Sequence, residues 1–418
     1  MADLTIKPQA GSGNKLIIQD QAGNARVTTS DAGIDIPAVS GNLTVAGDIV
    51  PSSPLSNRNM IINGGMQIAQ RDDNVTSGSS TVPYKCVDRF RMDDQMSTAQ
   101  VTYDQTSLTG ANIPAPGLMK AHKISLYGGS SYIDVPTAAE YFHVETRIEG
   151  FNISHLLYGT ANAKTITLSF YVRSNKNGVW AVQAVTPNGT AYDIGTTYTV
   201  SNTDWQRVVW TIPGNTSGQI DNANTAGMHI RWWLAAGSDS TTTSNTSWGA
   251  EATGRRAYGQ TAQLFSDSGN YIEFTGVQLE IGSNATPFEH RSYGEEFHRC
   301  QRYFQRLVGA QSAIPMVSLN NYNASYLFYL PQEMRAVPST ATVLGTHNRN
   351  SGGSVTADAW AIYSGGAWRG CWSIAATEKT AFTIRLEVTA YTAGNLTSGG
   401  ACALYGGANC GFEIDAEL

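Results

Sequence analysis

Four large aromatic residues, Trp360, Tyr363, Trp368 and Trp372, stand around the turn sequence Ser364-Gly365-Gly366-Ala367. Exposed indole and phenol faces stack on sugar rings, because each side chain joins an apolar body to a polar tip. Trp360 and Trp372 read as core-facing, Tyr363 and Trp368 as loop-exposed. The candidate receptor- or glycan-binding residues are Tyr363 and Trp368, with Trp360 beside them. Trp232 and Trp233 are neighbours on one strand and must point to opposite faces. One is expected in a core, the other exposed or at an interface.

Other chemistry is judged on spacing. Glycoside hydrolysis needs two carboxylates roughly 5–9 Å apart on a sugar groove. Asp88, Asp93 and Asp94 crowd near one strand end, and Glu145 and Glu149 lie close together. Such pairs arise readily by chance on strands and turns, so no catalytic residue is assigned. The seven histidines form no H-x-x-x-H, H-E-x-x-H or H-x-C pattern. His143 and Glu145 share one strand face and would need ligands from elsewhere to hold a metal. His290 and His298 flank a helix start and read as packing residues. There is no G-x-S-x-G elbow and no phosphate-cradling glycine loop, and no metal or cofactor is expected. Five scattered cysteines read as buried free thiols, with a Cys402–Cys410 disulfide left open. The N-x-S/T triplets at Asn152, Asn215 and Asn323 follow from composition.

Charged residues make up 14% of the 418 positions, against roughly 25% in ordinary soluble proteins. Ser, Thr, Asn and 42 glycines take their place. That mixture disfavours helices, because short polar side chains compete for backbone hydrogen bonds and glycine is entropically costly to order. It suits short strands joined by turns. A net charge of −6 without a basic run argues against nucleic acid as a partner. No apolar run reaches the roughly 18 residues of a membrane span, and the start, MADLT, lacks the regions of a secretory signal.

The elements that must position the aromatics are strands. Residues 1–57 hold two short strands, at 16–20 and 25–28, and a third at 43–50, with too few large apolar residues to close a core alone. Residues 58–290 read as strand after strand, with alternating runs at 166–172, 206–212, 229–234, 271–274 and 277–281. An antiparallel jelly-roll sandwich is expected there. Residues 291–308 read as a connecting helix of about four turns. Ser292 and Glu295 form its capping box, and Phe297, Cys300, Tyr303, Phe304 and Leu307 its apolar stripe. Residues 309–418 read as a smaller β-sandwich, with strands at 325–330 and 382–390 and a closing strand at 410–418.

Several blocks resemble a family of tailed-phage fibre proteins common among marine and cyanobacterial phages. Residues 59–71 (NMIINGGMQIAQR) resemble the family's opening element, and 87–90 (VDRF) its V-D-R-W strand with phenylalanine for tryptophan. Residues 275–291 (TGVQLEIGSNATPFEHR) are similar to its closing block, and 300–304 (CQRYF) to its helix. Residues 333–338 (EMRAVP) and 415–418 (DAEL) resemble elements of its terminal domain, and the opening MADLTIKP is similar to starts seen in such fibres. The resemblance implies a carbohydrate-binding-module-like jelly roll in an intertwined homotrimeric fibre. These residues are scaffold in that family, so it transfers no catalytic role.

The expectation is an all-β, non-enzymatic virion protein, made in the host cytoplasm, that attaches phage to host. Its 1–57 segment would dock to a tail, adaptor or baseplate protein. Its 309–418 tip would meet a host surface glycan or protein. A virion-associated glycan hydrolase and a purely structural baseplate or capsid fibre are the alternatives.

Overall fold

The computed structural model describes residues 56–77, 83–97, 100–128, 134–308, 313–347, 359–392, 394–407 and 409–418, with three short strands between 17 and 35. The chain divides into two units, Met1–Ser52 and Ser53–Leu418. In the first, Ile17–Gln19, Ala25–Ser30 and Gly33–Asp35 form a three-stranded antiparallel sheet. The strand expected at 43–50 lies outside the described residues.

The second unit is almost entirely antiparallel β. One six-stranded sheet has the order Gly249–Ala250, Tyr192–Val200, Gly178–Thr186, Ala226–Ala236, Tyr141–Glu149, Phe90–Asp94. The other runs Gln206–Ile212, Ile166–Ser174, Tyr271–Ile281, Lys120–Leu126, Val101–Ser107, Asn74–Ser77. Alternate residues of the two sheets meet in one core around Trp232, which packs on Phe90, Phe170 and Phe274. The runs at 271–274 and 277–281 are one strand, interrupted by a bulge at Gly276 (φ +60°). A side chain there would meet Leu118 at 2.7 Å, so both the bulge and the close approach call for glycine.

Trp233 departs from expectation. It is as buried as Trp232, under a second small cluster with Ala181, Ala236 and Ala257. The outer face of that sheet is covered here, and no exposed or interface tryptophan results.

Helix Tyr293–Gln301 starts at the expected cap, with the serine half of the box formed: the Ser292 hydroxyl accepts from the Glu295 amide at 3.3 Å. The Glu295 carboxylate reaches Arg299 at 2.7 Å, one turn on. The helix is shorter than expected, because Phe304–Val308 is a strand paired with Gly411–Asp415. The stripe at 303–307 satisfied a helical period, yet a ladder of five cross-strand pairs with residues far along the chain overrode it.

Beyond the helix, pairing closes on itself. Ala359–Ser364 pairs with Ala367–Thr377, then Thr383–Ala390, Asn323–Tyr329, Ala313–Ser318 and Ala401–Gly406, which returns to Ala359–Ser364. The sandwich layer is thus a six-stranded barrel filled by Ile362, Ile384, Leu386, Val388 and Leu404. A three-stranded sheet of Phe304–Val308, Gly411–Asp415 and Thr340–Leu344 packs on it through Phe412 and Ile414.

The blocks that carry the family resemblance converge where this small sheet meets the sandwich. The Asn59 side chain accepts from the Ile61 and Leu279 amides at 2.9 and 3.1 Å and donates to the Val277 carbonyl at 3.0 Å. Gln70 bridges Asp88 and the Phe304 carbonyl at 2.6 and 2.8 Å. Arg71 pairs with Asp415 at 3.0 Å and Glu417 at 3.4 Å. Arg89 pairs with Glu417 and lies 3.5 Å over the Tyr303 ring. Arg335 donates to the Ala416 and Glu417 carbonyls at 2.7 and 2.8 Å. Gly64 sits tightest, since a Cβ there would fall 2.0 Å from the Val277 carbonyl oxygen. Gly64→Ala should therefore destabilise the protein by about 1–3 kcal/mol, the usual range for overpacking. Thermal unfolding reads this; an unchanged midpoint would show the strand free to yield.

Candidate functional site

The aromatic candidates are placed by a hairpin. Gly365 and Gly366 both have positive φ, +60° and +78°, the two-residue turn that matches the twist of antiparallel strands. That turn sets Tyr363 directly opposite Trp368 and Ser364 opposite Ala367. The Tyr363 and Trp368 rings meet edge to face, with centroids 5.2 Å apart. Tyr405 completes the group from the neighbouring strand, 4.9 Å from Trp368 and 6.4 Å from Tyr363. Tyr363 is 38% exposed, and Trp368 and Tyr405 are half-buried. Ala361, on the same strand face as Tyr363, is fully buried among these rings.

Trp360 does not belong to this group. It lies three residues from Tyr363 on one strand, an odd separation, and so faces the other way. It is 3% exposed, packs on Phe412 at 5.3 Å, and donates its indole N–H to the Leu344 carbonyl at 2.7 Å. A glycan cannot stack on it from the barrel wall. Trp372, expected in the core, is 49% exposed and stacks on Tyr391 at 5.6 Å. It lies an even four residues from Trp368 on the same strand and so shares that residue's outward face, beside the register shift between Cys371 and Ser373.

No local pattern in the sequence marks Tyr405 or Tyr391 as site residues. Tyr405 reaches the site through pairing with a strand about forty residues earlier, and Tyr391 from just beyond the end of the next strand in sequence. Strand parity alone separates Trp360 from Tyr363.

Three of the five carboxylates considered for hydrolysis, Asp88, Glu145 and Glu149, are drawn into ion pairs. Asp88 accepts from the Gln70 amide at 3.0 Å and lies 3.8 Å from Arg71. Glu149 binds Arg302 and the Tyr303 hydroxyl at 2.7 and 2.8 Å. Glu145 is fully buried beneath Arg91, Arg147 and Arg231 at 2.8, 2.7 and 2.9 Å, with His143 and His229 each at 3.6 Å. Burial pushes the Glu145 carboxyl up, yet His143, His229 and Arg231 outweigh it and hold it below the usual carboxylate range. Its chemistry is that of a fixed anion knitting strands together. Among the described residues, no group of three or more His, Cys, Asp or Glu is arranged to hold a metal ion. All five cysteines are buried, Cys402 and Cys410 included. No helix among the described residues is long and apolar enough to cross a membrane.

The fold and wall together define an all-β protein with a sandwich, a small barrel and an aromatic surface cluster. No protein-family model matches the chain, and no curated protein matches it. Solved structures resemble its sandwich at low scores. A family 4 carbohydrate-binding module is 12% identical over 53% of this chain and 98% of its own, with a TM-score of 0.27. The enzymatically active domain of tailspike protein 4 from bacteriophage CBA120 is 11% identical over 54% of this chain and 21% of its own, with a TM-score of 0.27. The family 11 carbohydrate-binding module from Clostridium thermocellum is 10% identical over 52% of this chain and 99% of its own, with a TM-score of 0.24. Likeness at this level carries no functional weight, and the site stands on its own geometry.

Proposed function

We propose that this chain is a receptor-binding fibre protein of a tailed phage, a non-enzymatic adhesin that recognises a host-surface glycan. The observation that carries the reading is the partly exposed group of Tyr363, Trp368 and Tyr405, held edge to face on a barrel wall. Rigid aromatic side chains order little on binding and offer large apolar faces with polar tips, the properties a sugar platform needs. The fibre context rests on the sequence resemblance of 59–71, 275–291 and 415–418. In this reading residues 1–57 dock to the tail, 58–290 form the jelly-roll shaft, 291–308 connect, and 309–418 are the tip. Three copies would assemble, so that weak sites gain from effective concentration.

The test is binding of the labelled full chain to a bacterial glycan array. Tyr363→Ala and Trp368→Ala should each weaken the best signal at least tenfold, about 1.4 kcal/mol, with thermal stability little changed. Undiminished binding by both variants would move the site elsewhere. New reducing ends from a bound polysaccharide would mark a hydrolase instead.

A further inference from the structure

The aromatic wall does not end at Trp368. Gly370 follows on the same strand face, and its carbonyl accepts the Tyr391 amide at 2.8 Å. Tyr391 then stacks on Trp372 at 5.6 Å with a 29° tilt, and the two rings are 46% and 49% exposed. Trp368 and Trp372 are four residues apart on one strand, about 13 Å at the usual rise. Two aromatic stations therefore share one strand, separated by a glycine that leaves the floor between them low.

The wall around them is uncharged. Ala361 and Tyr363 on one strand, Ala401, Ala403 and Tyr405 on the next, and Pro315 and Val317 on a third present no acid or base. Arg369 alternates inward, opposite Ile362 of the barrel core. On the adjoining strand the outward charges are Glu387 and Arg385, which pair with Ala375 and Thr377, three and five residues beyond Trp372. Arg385 is itself bound to Glu378 at 2.8 Å. A carboxylated or sulfated sugar laid on this strip would lose water with no cation to replace it, whereas hydroxyl-only sugars would keep their rims wet.

We infer that the two stations form one extended subsite strip for an uncharged oligosaccharide. The Tyr363–Trp368–Tyr405 group holds one end and the Trp372–Tyr391 stack holds sugars further along the same chain. The inference rests on the glycan reading above and adds to it a ligand class, a second contact and a length requirement.

Titration of the full chain with neutral glucose, galactose and mannose oligomers of one to six units tests it, alongside a uronic-acid series. Affinity should rise at least tenfold between short and long members of the neutral series that binds. Trp372→Ala should remove that rise and leave binding of the short members unchanged, while Trp368→Ala weakens both. The uronic-acid series should bind at least tenfold more weakly. A length dependence that survives Trp372→Ala, or stronger binding of the acidic series, would overturn the strip and leave the glycan reading standing. Failure of every oligomer to bind the unaltered chain would remove the glycan reading itself. Trp372→Ala is also run by light scattering. A changed assembly state would make the second station a contact between copies and overturn the strip.

Discussion

Arg89→Leu is expected to lower the unfolding free energy by about 3–5 kcal/mol, the range for breaking a buried ion pair from one side. The Arg89 guanidinium is 1% exposed, pairs with Glu417, donates to the Arg147 carbonyl at 2.7 Å and covers the Tyr303 ring. Its removal leaves the Glu417 carboxylate in a site with a side-chain exposure of 5% and Arg71 at 3.4 Å as its remaining cation. Burial already pushes the Glu417 carboxyl up against the pull of Arg89 and Arg71, so the variant should suffer less in acid, where that group can take a proton. The double variant Arg89→Leu, Glu417→Leu should recover most of the loss, because two apolar groups replace the pair without stranding a charge. Denaturant unfolding of the three proteins decides the matter. A single variant within 1 kcal/mol of the parent would mean the tail is not held by this pair.

Acidification from pH 8 to pH 5 should destabilise the protein through its buried histidines. Burial holds the His122 imidazole down to about 3, and burial assisted by Arg231 and Arg91, against the opposing Glu145, holds His229 down to about 4. Unfolded histidine titrates near 6.5. Between these values the unfolded chain takes protons that the native protein refuses. Stability is therefore full above about pH 6.5 and falls as the pH drops toward the folded values, by about 2 kcal/mol for each group at pH 5. Asp94 works the other way: burial pushes it up to about 6, so its contribution is present in acid and lost as pH rises, offsetting part of the histidine loss. Neither nitrogen of His122 has a hydrogen-bond partner, and its ring meets Phe90 edge to face at 6.3 Å. His122→Phe should thus flatten the pH dependence by the His122 share. An unchanged slope between pH 8 and pH 5 would assign the acid loss to other groups.

Strands were legible wherever one face is wet. The runs at 206–212 and 382–390 alternate cleanly and form the strands Gln206–Ile212 and Thr383–Ala390. The start of the helix was legible because Ser292 acts within one turn; its end was not, because the competitor for Tyr303–Leu307 lies at Gly411–Asp415, a hundred residues away. Polar residues misled where a second layer covers them. Gln278 and Glu280 look like a wet face, yet both are buried under 286–289, where Glu280 takes the Thr286 amide at 2.9 Å and Gln278 the Glu289 amide at 2.7 Å. The aromatic site was half legible for the same reason. Its hairpin is written in two glycines, while Tyr405 arrives through the closure of the barrel. That closure depends on long-range register, which alternation alone cannot reveal.

The joint between sandwich and barrel also sets how the molecule bears force. The strand that enters the barrel region, Phe304–Val308, and the last strand, Gly411–Asp415, lie side by side, with Phe304 opposite Asp415. Both leave that small sheet at the same end, one continuing through the backbone into the helix and the other through Glu417 and its arginines. A pull on the barrel wall is thus divided between two parallel tethers, one covalent and one ionic. Because the tethers are loaded in the same direction, their five cross-strand pairs are not peeled open one by one. Under tension the barrel should hold its shape until the ionic tether slips, and because Arg89 and Glu417 are buried, salt concentration should change that load little.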